Sequence, residues 1–159
     1  MILNYIFIIY NLSYLNNELI LKNKFSCIKN TIKYKIETNP YIIDNNISIS
    51  YESRIKNNNK IIYNLFTKRK LYPHDIYGFR IIYKNMNDVS DILTSYIIKN
   101  IIENEYELCN ELYDDYIKNP KKNNYQSIHL YIKTPLLIEI QLRNNEMHKR
   151  ALTGSASQY

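Results

Sequence analysis

The chain has little of what usually marks staples, metal sites and tight turns. It contains no tryptophan, two glycines, four prolines, two cysteines and three histidines in 159 residues. Cys27 and Cys109 stand far apart without a CxxC pair, so zinc spacing is absent and two reduced, partly buried thiols are expected. The apolar N-terminus, MILNYIFIIYNL, is shorter than the roughly 20 residues of a spanning helix. No basic segment precedes it and no small-residue cleavage site follows. It reads as a buried first strand or helix, with no membrane partner and a cytoplasmic location expected.

Asparagine, isoleucine, lysine and tyrosine are inflated instead. Because that background supplies Asn everywhere, Asn-rich stretches are weak evidence of loops. The same background makes each Gly, His, Gln and Arg more informative. A hydrophobic content of 45% and a charged content of 23% are ordinary for a globular chain, so a packed core is expected. The length suits one domain. The net charge of +6 suits a polyanion such as a nucleotide or nucleic acid, and equally suits a lysine-rich solubility surface.

Periodicity orders the elements. Leu12, Leu15, Leu19 and Ile20 suggest a helix within 11–36, and NPYIIDNN (39–46) reads as a turn-rich connection. ISISYESRIK (47–56) alternates, with Glu52, Arg54 and Lys56 on one face. Residues 57–66 read as a helix, 75–84 as a strand too apolar to be an edge, and 87–102 as a helix. That last helix is expected to be capped by Asn87 or Asp88, with Val89, Ile92, Leu93, Tyr96 and Ile97 inward. Strands 125–132 and 136–143 flank a short turn as an antiparallel hairpin, and 144–156 closes as a helix. The sum is an α+β domain with a small mixed β-sheet flanked by helices. In the hairpin, Tyr125, Ser127 and His129 are expected beside Glu139, Gln141 and Arg143.

With these residues assembled, the sequence resembles the synthetase domain of the RelA/SpoT family. The carrying segments are SRIKNNNKI (53–61), DIYGFRII (75–82), DDYIKNPKKNNYQSIHL (114–130), IEIQLR (138–143) and MHKRALTGSA (147–156). The resemblance implies a nucleotidyltransferase-like fold, with residues 1–46 as an N-terminal helical or connecting segment and 47–159 as a C-terminally short synthetase domain. It implies transfer of pyrophosphate from ATP to the 3′-hydroxyl of GTP or GDP, making (p)ppGpp. Such chemistry is mainly positioning and charge neutralisation.

By the same resemblance Asp75 and Glu139 are the catalytic and Mg²⁺-binding positions, a cation that asks for hard carboxylate oxygens. Asp75 as a turn or helix cap is the plainer alternative. Arg54, Lys56, Lys60 and Arg80 would hold ATP, with Arg54 stacking on adenine. Tyr125 would stack on guanine, and Asn123, Lys121, His129, Gln141 and Arg143 would contact the acceptor. Arg80 and Arg143 either hold phosphates or brace the site through ion pairs.

Departures from the family pattern are specific. Asn124 stands where a glycine precedes the stacking tyrosine; asparagine tolerates positive φ better than other side chains. Asn57 and Asn64 replace a serine and a phosphate-gripping lysine, and Lys60, one helical turn before Asn64, supplies a charge nearby. Asp114 matches members that synthesise without hydrolysing. The hydrolase domain's His and His-Asp metal motif has no counterpart in these residues, so synthesis alone is expected. Two alternatives stay open: a toxin-like enzyme that pyrophosphorylates the 3′ end of tRNA, for which RNA would be the partner, and an inactive guanine-nucleotide-binding homologue. A homo-oligomer is compatible with either.

Overall fold

A computed structural model describes residues 2–55, 76–86, 90–135 and 137–153, with side chains from Leu19 onward. Helix α1 (Ile2–Glu37) leads through the short helix α2 (Pro40–Asp44) into strand β1 (Ser48–Ile55). Strand β2 (Tyr77–Lys84) is followed by α3 (Asp91–Glu105) and a 3-10 turn at Asn110–Leu112. Then come β3 (Asp114–Asp115), β4 (Ile128–Lys133), β5 (Leu137–Asn144) and α4 (Asn145–Thr153). The sheet order is β1-β2-β5-β4-β3. Strands β2 and β5 run parallel and the other three pairs antiparallel. This is the α+β architecture with a mixed sheet that the sequence pattern predicts, and β2 is indeed an interior strand.

Alternation explains the hairpin. Ile128, Leu130 and Ile132 of β4 and Ile138, Ile140 and Leu142 of β5 point to one face and are fully buried. Phe79, Ile81 and Tyr83 of β2 join them, together with Ile98 and Ile102 of α3 and Phe25, Ile32 and Ile36 of α1. Burying each such side chain stabilises the fold by about 1.5–3 kcal/mol. The phenyl ring of Phe25 packs against both Tyr77 and Phe79, fixing α1 on the sheet.

Helix α1 includes the helix expected within 11–36; among its described side chains Phe25, Ile32 and Ile36 face inward, whereas Leu19 and Ile20 are exposed. Four local expectations are corrected. The connection at 39–46 contains α2, because Asn39 caps it by accepting from the Tyr41 N–H and Pro40 fits its first position. Helix α3 is capped by Ser90, which accepts from the Leu93 N–H, and begins at Asp91. Its inward residues include Thr94 and Ser95, while Ile92 and Leu93 are 53% and 49% exposed. The reason is across the interface: the Tyr83 hydroxyl bonds Ser95 and the Asp91 carbonyl, and Thr94 donates to Asn85. The end of β2 is polar, so the helix turns hydroxyls toward it. Cys27 is exposed rather than partly buried, and both cysteines are free thiols. Among the described residues no helix is long and apolar enough to cross a membrane. The expected helix at 57–66 and residues 154–156 of the closing helix lie outside the described residues.

Candidate active site

Residues paired across a sheet share a face. The register therefore lays two rows of side chains across the face opposite the core. One row reads Arg54, Gly78, Glu139, Tyr131; the next reads Glu52, Arg80, Gln141, His129, Asp114. Arg143 follows on β5. Strand β5 lies between β2 and β4, so Glu139, Gln141 and Arg143 are only 4–5% exposed despite their polarity.

Buried charges need partners, and each of these has them. Glu139 Oε1 accepts from Gln141 Nε2 at 2.9 Å and lies 3.2 Å from His129 Nδ1. Its Oε2 lies 3.9 Å from Arg54 Nη1. Burial pushes the Glu139 carboxyl up, but the hydrogen bonds from His129 and Gln141, with the charges of His129 and Arg54, bring it down to about 2. It is a fixed anion. Gly78 makes the room: a Cβ there would stand 3.0 Å from the Glu139 carbonyl oxygen and 3.7 Å from Oε2.

Gln141 Oε1 accepts from Arg80 Nε at 3.1 Å and from Arg143 Nη2 at 2.9 Å. Arg143 also donates to the Tyr125 hydroxyl and, through Nε, to Ser127 Oγ at 3.3 Å. The Tyr125 hydroxyl lies 2.8 Å from His129 Nε2. The Tyr125 hydroxyl thus joins Arg143 to His129, and His129 joins it to Glu139. Arg80 Nη1 donates to Glu52 Oε2 at 3.1 Å, and His148 Nε2 of α4 lies 3.5 Å from Glu52 Oε1.

Tyr125 is aimed by the turn before it. Asn124 has φ 59°, a left-handed conformation that asparagine adopts more readily than other residues with side chains. Asn123 Oδ1 accepts from the Tyr125 N–H at 3.2 Å, and the Lys121 N–H donates to the Tyr125 carbonyl at 3.1 Å. The Tyr125 ring packs edge-on against Tyr116 and His129. Lys121 Nζ lies 5.4 Å from the Tyr125 centroid and 4.2 Å from that of Tyr116, and Arg143 Cζ lies 4.9 Å from the former.

The predicted site residues that are described thus converge: Arg54, Arg80, Lys121, Asn123, Tyr125, His129, Glu139, Gln141 and Arg143. Asp75, Lys56 and Lys60, with Asn57 and Asn64, lie outside the described residues. One expectation is corrected. Regular β4 pairing begins at Ile128, not 125; Ser127, fully buried, donates to the Leu142 carbonyl and still lies beside Arg143 as expected. Sequence reasoning passed over Tyr116, one of 17 tyrosines, and the pairing of Glu52 with Arg80. The signal for Glu52 was present in β1, where it shares a face with Arg54.

A cleft of about 820 Å³ between α3 and residues 108–119 shares only Tyr116 and Asp114 with this face. There Asp115 accepts from the Tyr96 and Tyr113 hydroxyls and from two backbone N–H groups, which ties the segment down. Charge arrangement, not concavity, marks the candidate site. Arg54, Arg80, Arg143 and Lys121 outnumber Glu52, Glu139 and Asp114, so the face favours a polyanion that brings its own cation. Among the described residues no group of three or more His, Cys, Asp or Glu side chains could hold a metal by itself. Glu139 nevertheless suits Mg²⁺, a hard cation that takes one or two carboxylates and shares the rest with phosphates.

Fold and site together define an α+β domain that presents an ionised, arginine-flanked carboxylate on a mixed sheet. The family model described as "Region found in RelA / SpoT proteins" matches residues 53–159, and the chain belongs to the RelA/SpoT family. It is 31% identical over 133 residues, 79% of its length, to a probable guanosine-3′,5′-bis(diphosphate) 3′-pyrophosphohydrolase of Mycoplasma genitalium, of which it covers 17%. It is 33% identical over 87 residues, 54% of its length, to the GTP pyrophosphokinase of Escherichia coli, of which it covers 11%. The crystal structure of small alarmone synthetase 2 from Bacillus subtilis superposes with a TM-score of 0.56 at 29% identity, covering 82% of this chain and 76% of that one. The chain therefore spans less than a fifth of the curated relatives it matches.

Proposed function

We propose that this domain transfers the β,γ-pyrophosphoryl group of ATP to the 3′-hydroxyl of GTP or GDP, without hydrolysing the product. The observation that carries the reading is one continuous network. Arg54, on the strand expected to hold ATP, and Tyr125, in the turn expected to hold the acceptor, both connect to Glu139, Tyr125 through His129. A RelA/SpoT-family domain with a relative named GTP pyrophosphokinase supports it.

The roles follow from the chemistry. The acceptor 3′-oxygen forms a bond to the β-phosphorus, the bond from that phosphorus to the bridging oxygen of the α-phosphate breaks, and AMP leaves with that oxygen while the hydroxyl proton is released. Little of the work is covalent; positioning and charge neutralisation dominate. Arg54 and Arg80 bind the donor, with Lys56 and Lys60 from the neighbouring segment. The acceptor base stacks on Tyr125 and displaces the Lys121 ammonium, which then reaches a phosphate. Such stacking is worth about 1–3 kcal/mol. Asn123 and Arg143 meet the base edge and phosphates, and Gln141 and His129 hold the surrounding groups in register. Glu139, with Asp75, would hold Mg²⁺, which when bound neutralises phosphate charge. A carboxyl held near 2 is a weak proton acceptor, so Glu139 acts chiefly as a fixed anion beside the attacking oxygen.

Purified protein incubated with labelled ATP, Mg²⁺ and one of GTP, GDP or bulk tRNA tests this. A 3′-pyrophosphorylated guanosine nucleotide and AMP are expected. Label on tRNA alone would move the activity to an RNA acceptor. No product from folded protein that still binds GTP would leave a binding role.

A further inference from the structure

We infer that Glu52 is a built-in competitor for phosphate: its carboxylate occupies Arg80 until a nucleotide polyphosphate takes its place, and so sets how tightly the donor binds. The inference rests on the proposed donor role of Arg80.

Three observations carry it. Arg80 is bracketed, with Nε on the Gln141 carbonyl oxygen at 3.1 Å and Nη1 on Glu52 Oε2 at 3.1 Å. Those two partners differ in kind. Gln141 is neutral and buried, a permanent strut, whereas Glu52 is charged and 46% exposed on the edge strand, free to swing into water. Lastly, the Glu52 carboxylate is steered toward Arg80 from behind. His148 Nε2 stands 3.5 Å from its other oxygen, and His148 Nδ1 is buried with no hydrogen-bond partner among the described residues. The Nε2–H tautomer of neutral His148 turns its ring N–H toward that carboxylate and leaves a bare lone pair at Nδ1.

A carboxylate and a phosphate oxygen make the same demand on a guanidinium, and both are met by charge-assisted hydrogen bonds. A phosphate that binds Arg80 must therefore displace Glu52 or suffer its repulsion. An exposed pair is weak, so displacement is easy. The carboxylate also keeps Arg80 extended across the sheet when no nucleotide is bound. Its effect is on binding of the phosphates, not on the adenine and not on the chemical step, which makes Glu52 a positioning residue.

Calorimetry of ATP and of adenosine with wild-type protein, Glu52→Gln and Glu52→Asp separates the possibilities. Gln keeps an oxygen for Arg80 and removes the charge. ATP affinity is expected to rise about three- to tenfold in Glu52→Gln, the size of one like charge removed at partly solvated range. The gain should shrink as salt is raised, adenosine affinity should not change, and Glu52→Asp should stay near wild type. In turnover assays the change should fall on the KM for ATP more than on kcat. Unchanged or weaker ATP binding in Glu52→Gln, or an equal gain for adenosine, overturns the inference. Wild-type protein that turns over while Glu52→Gln gains nothing refutes the Glu52 role and leaves the synthetase reading intact. Tighter ATP binding in a protein that never turns over does the reverse.

Discussion

The two faces of β5 are equally buried and held by opposite means. One face presents Ile138, Ile140 and Leu142 to a cluster of aliphatic and aromatic side chains. The other presents Glu139, Gln141 and Arg143 to a closed set of hydrogen bonds and ion pairs. On the first, many weak contacts add up, and no single atom is indispensable. On the second, each group is specified by its neighbour's charge and geometry, and one changed atom leaves others unpaired. The apolar face secures the sheet. The polar face spends some of that security on holding charges where a polyanion will need them.

The comparison is tested most severely at adjacent positions of the same strand. Glu139→Gln preserves shape and removes the anion. Turnover of ATP with GTP is expected to fall by about 10²–10³-fold, the range for loss of one preorganised electrostatic group. Far-UV circular dichroism should remain that of the wild type. Full activity in this variant would remove Glu139 from the site. Ile140→Ala should do the opposite. It opens a cavity on the core face and is expected to cost about 2–5 kcal/mol, read as a lower urea midpoint at unchanged slope. Its kcat under conditions where it remains folded should stay within a few-fold of wild type. If both variants lost stability and activity in parallel, the two faces would not be separable as described.

Gly78→Ala probes the seam between them. The added methyl meets the Glu139 backbone carbonyl at 3.0 Å, tighter than ordinary contact, and lies 3.7 Å from Oε2. Relief therefore requires the Glu139 backbone to give by a few tenths of an ångström, which carries its carboxylate with it relative to Arg54. About a tenfold loss of kcat/KM is expected, with a stability change smaller than that of Ile140→Ala. Kinetics and urea melts on the same preparation check both halves.

What could be read in advance follows the same division. Alternation in β4 and β5 gave away the hairpin, and rare residues in a biased background marked Arg54, Arg80, His129 and Arg143. The inward face of α3 was not legible, because Thr94 and Ser95 face inward to meet Asn85 and Tyr83, which lie just beyond and at the end of β2. Glu52 could be placed only on a face with Arg54 and Lys56, since its partners Arg80 and His148 come from β2 and α4. Periodicity reports which face a side chain takes. It does not report which partner waits there, and a polar site consists of partners.

The smallest expected effect concerns the turn that aims Tyr125. Asn124 sits at φ 59°, a conformation that glycine holds at less cost. A left-handed residue other than glycine costs about 1–2 kcal/mol, and asparagine less than most. Asn124→Gly removes that native-state cost but gives the unfolded chain more freedom, so the two changes nearly cancel. Stability is expected to move by less than about 1 kcal/mol and activity to stay level or rise slightly. Asn124→Ala has no such offset; it should lose stability and raise the KM for GTP through a misaimed Tyr125 while leaving the KM for ATP alone. The proposed function places the turn on the acceptor side, so an ATP-side effect from either substitution would show that the two halves move as one. A clear loss of activity in Asn124→Gly would instead show that the asparagine side chain itself, and not only its backbone, is part of the site.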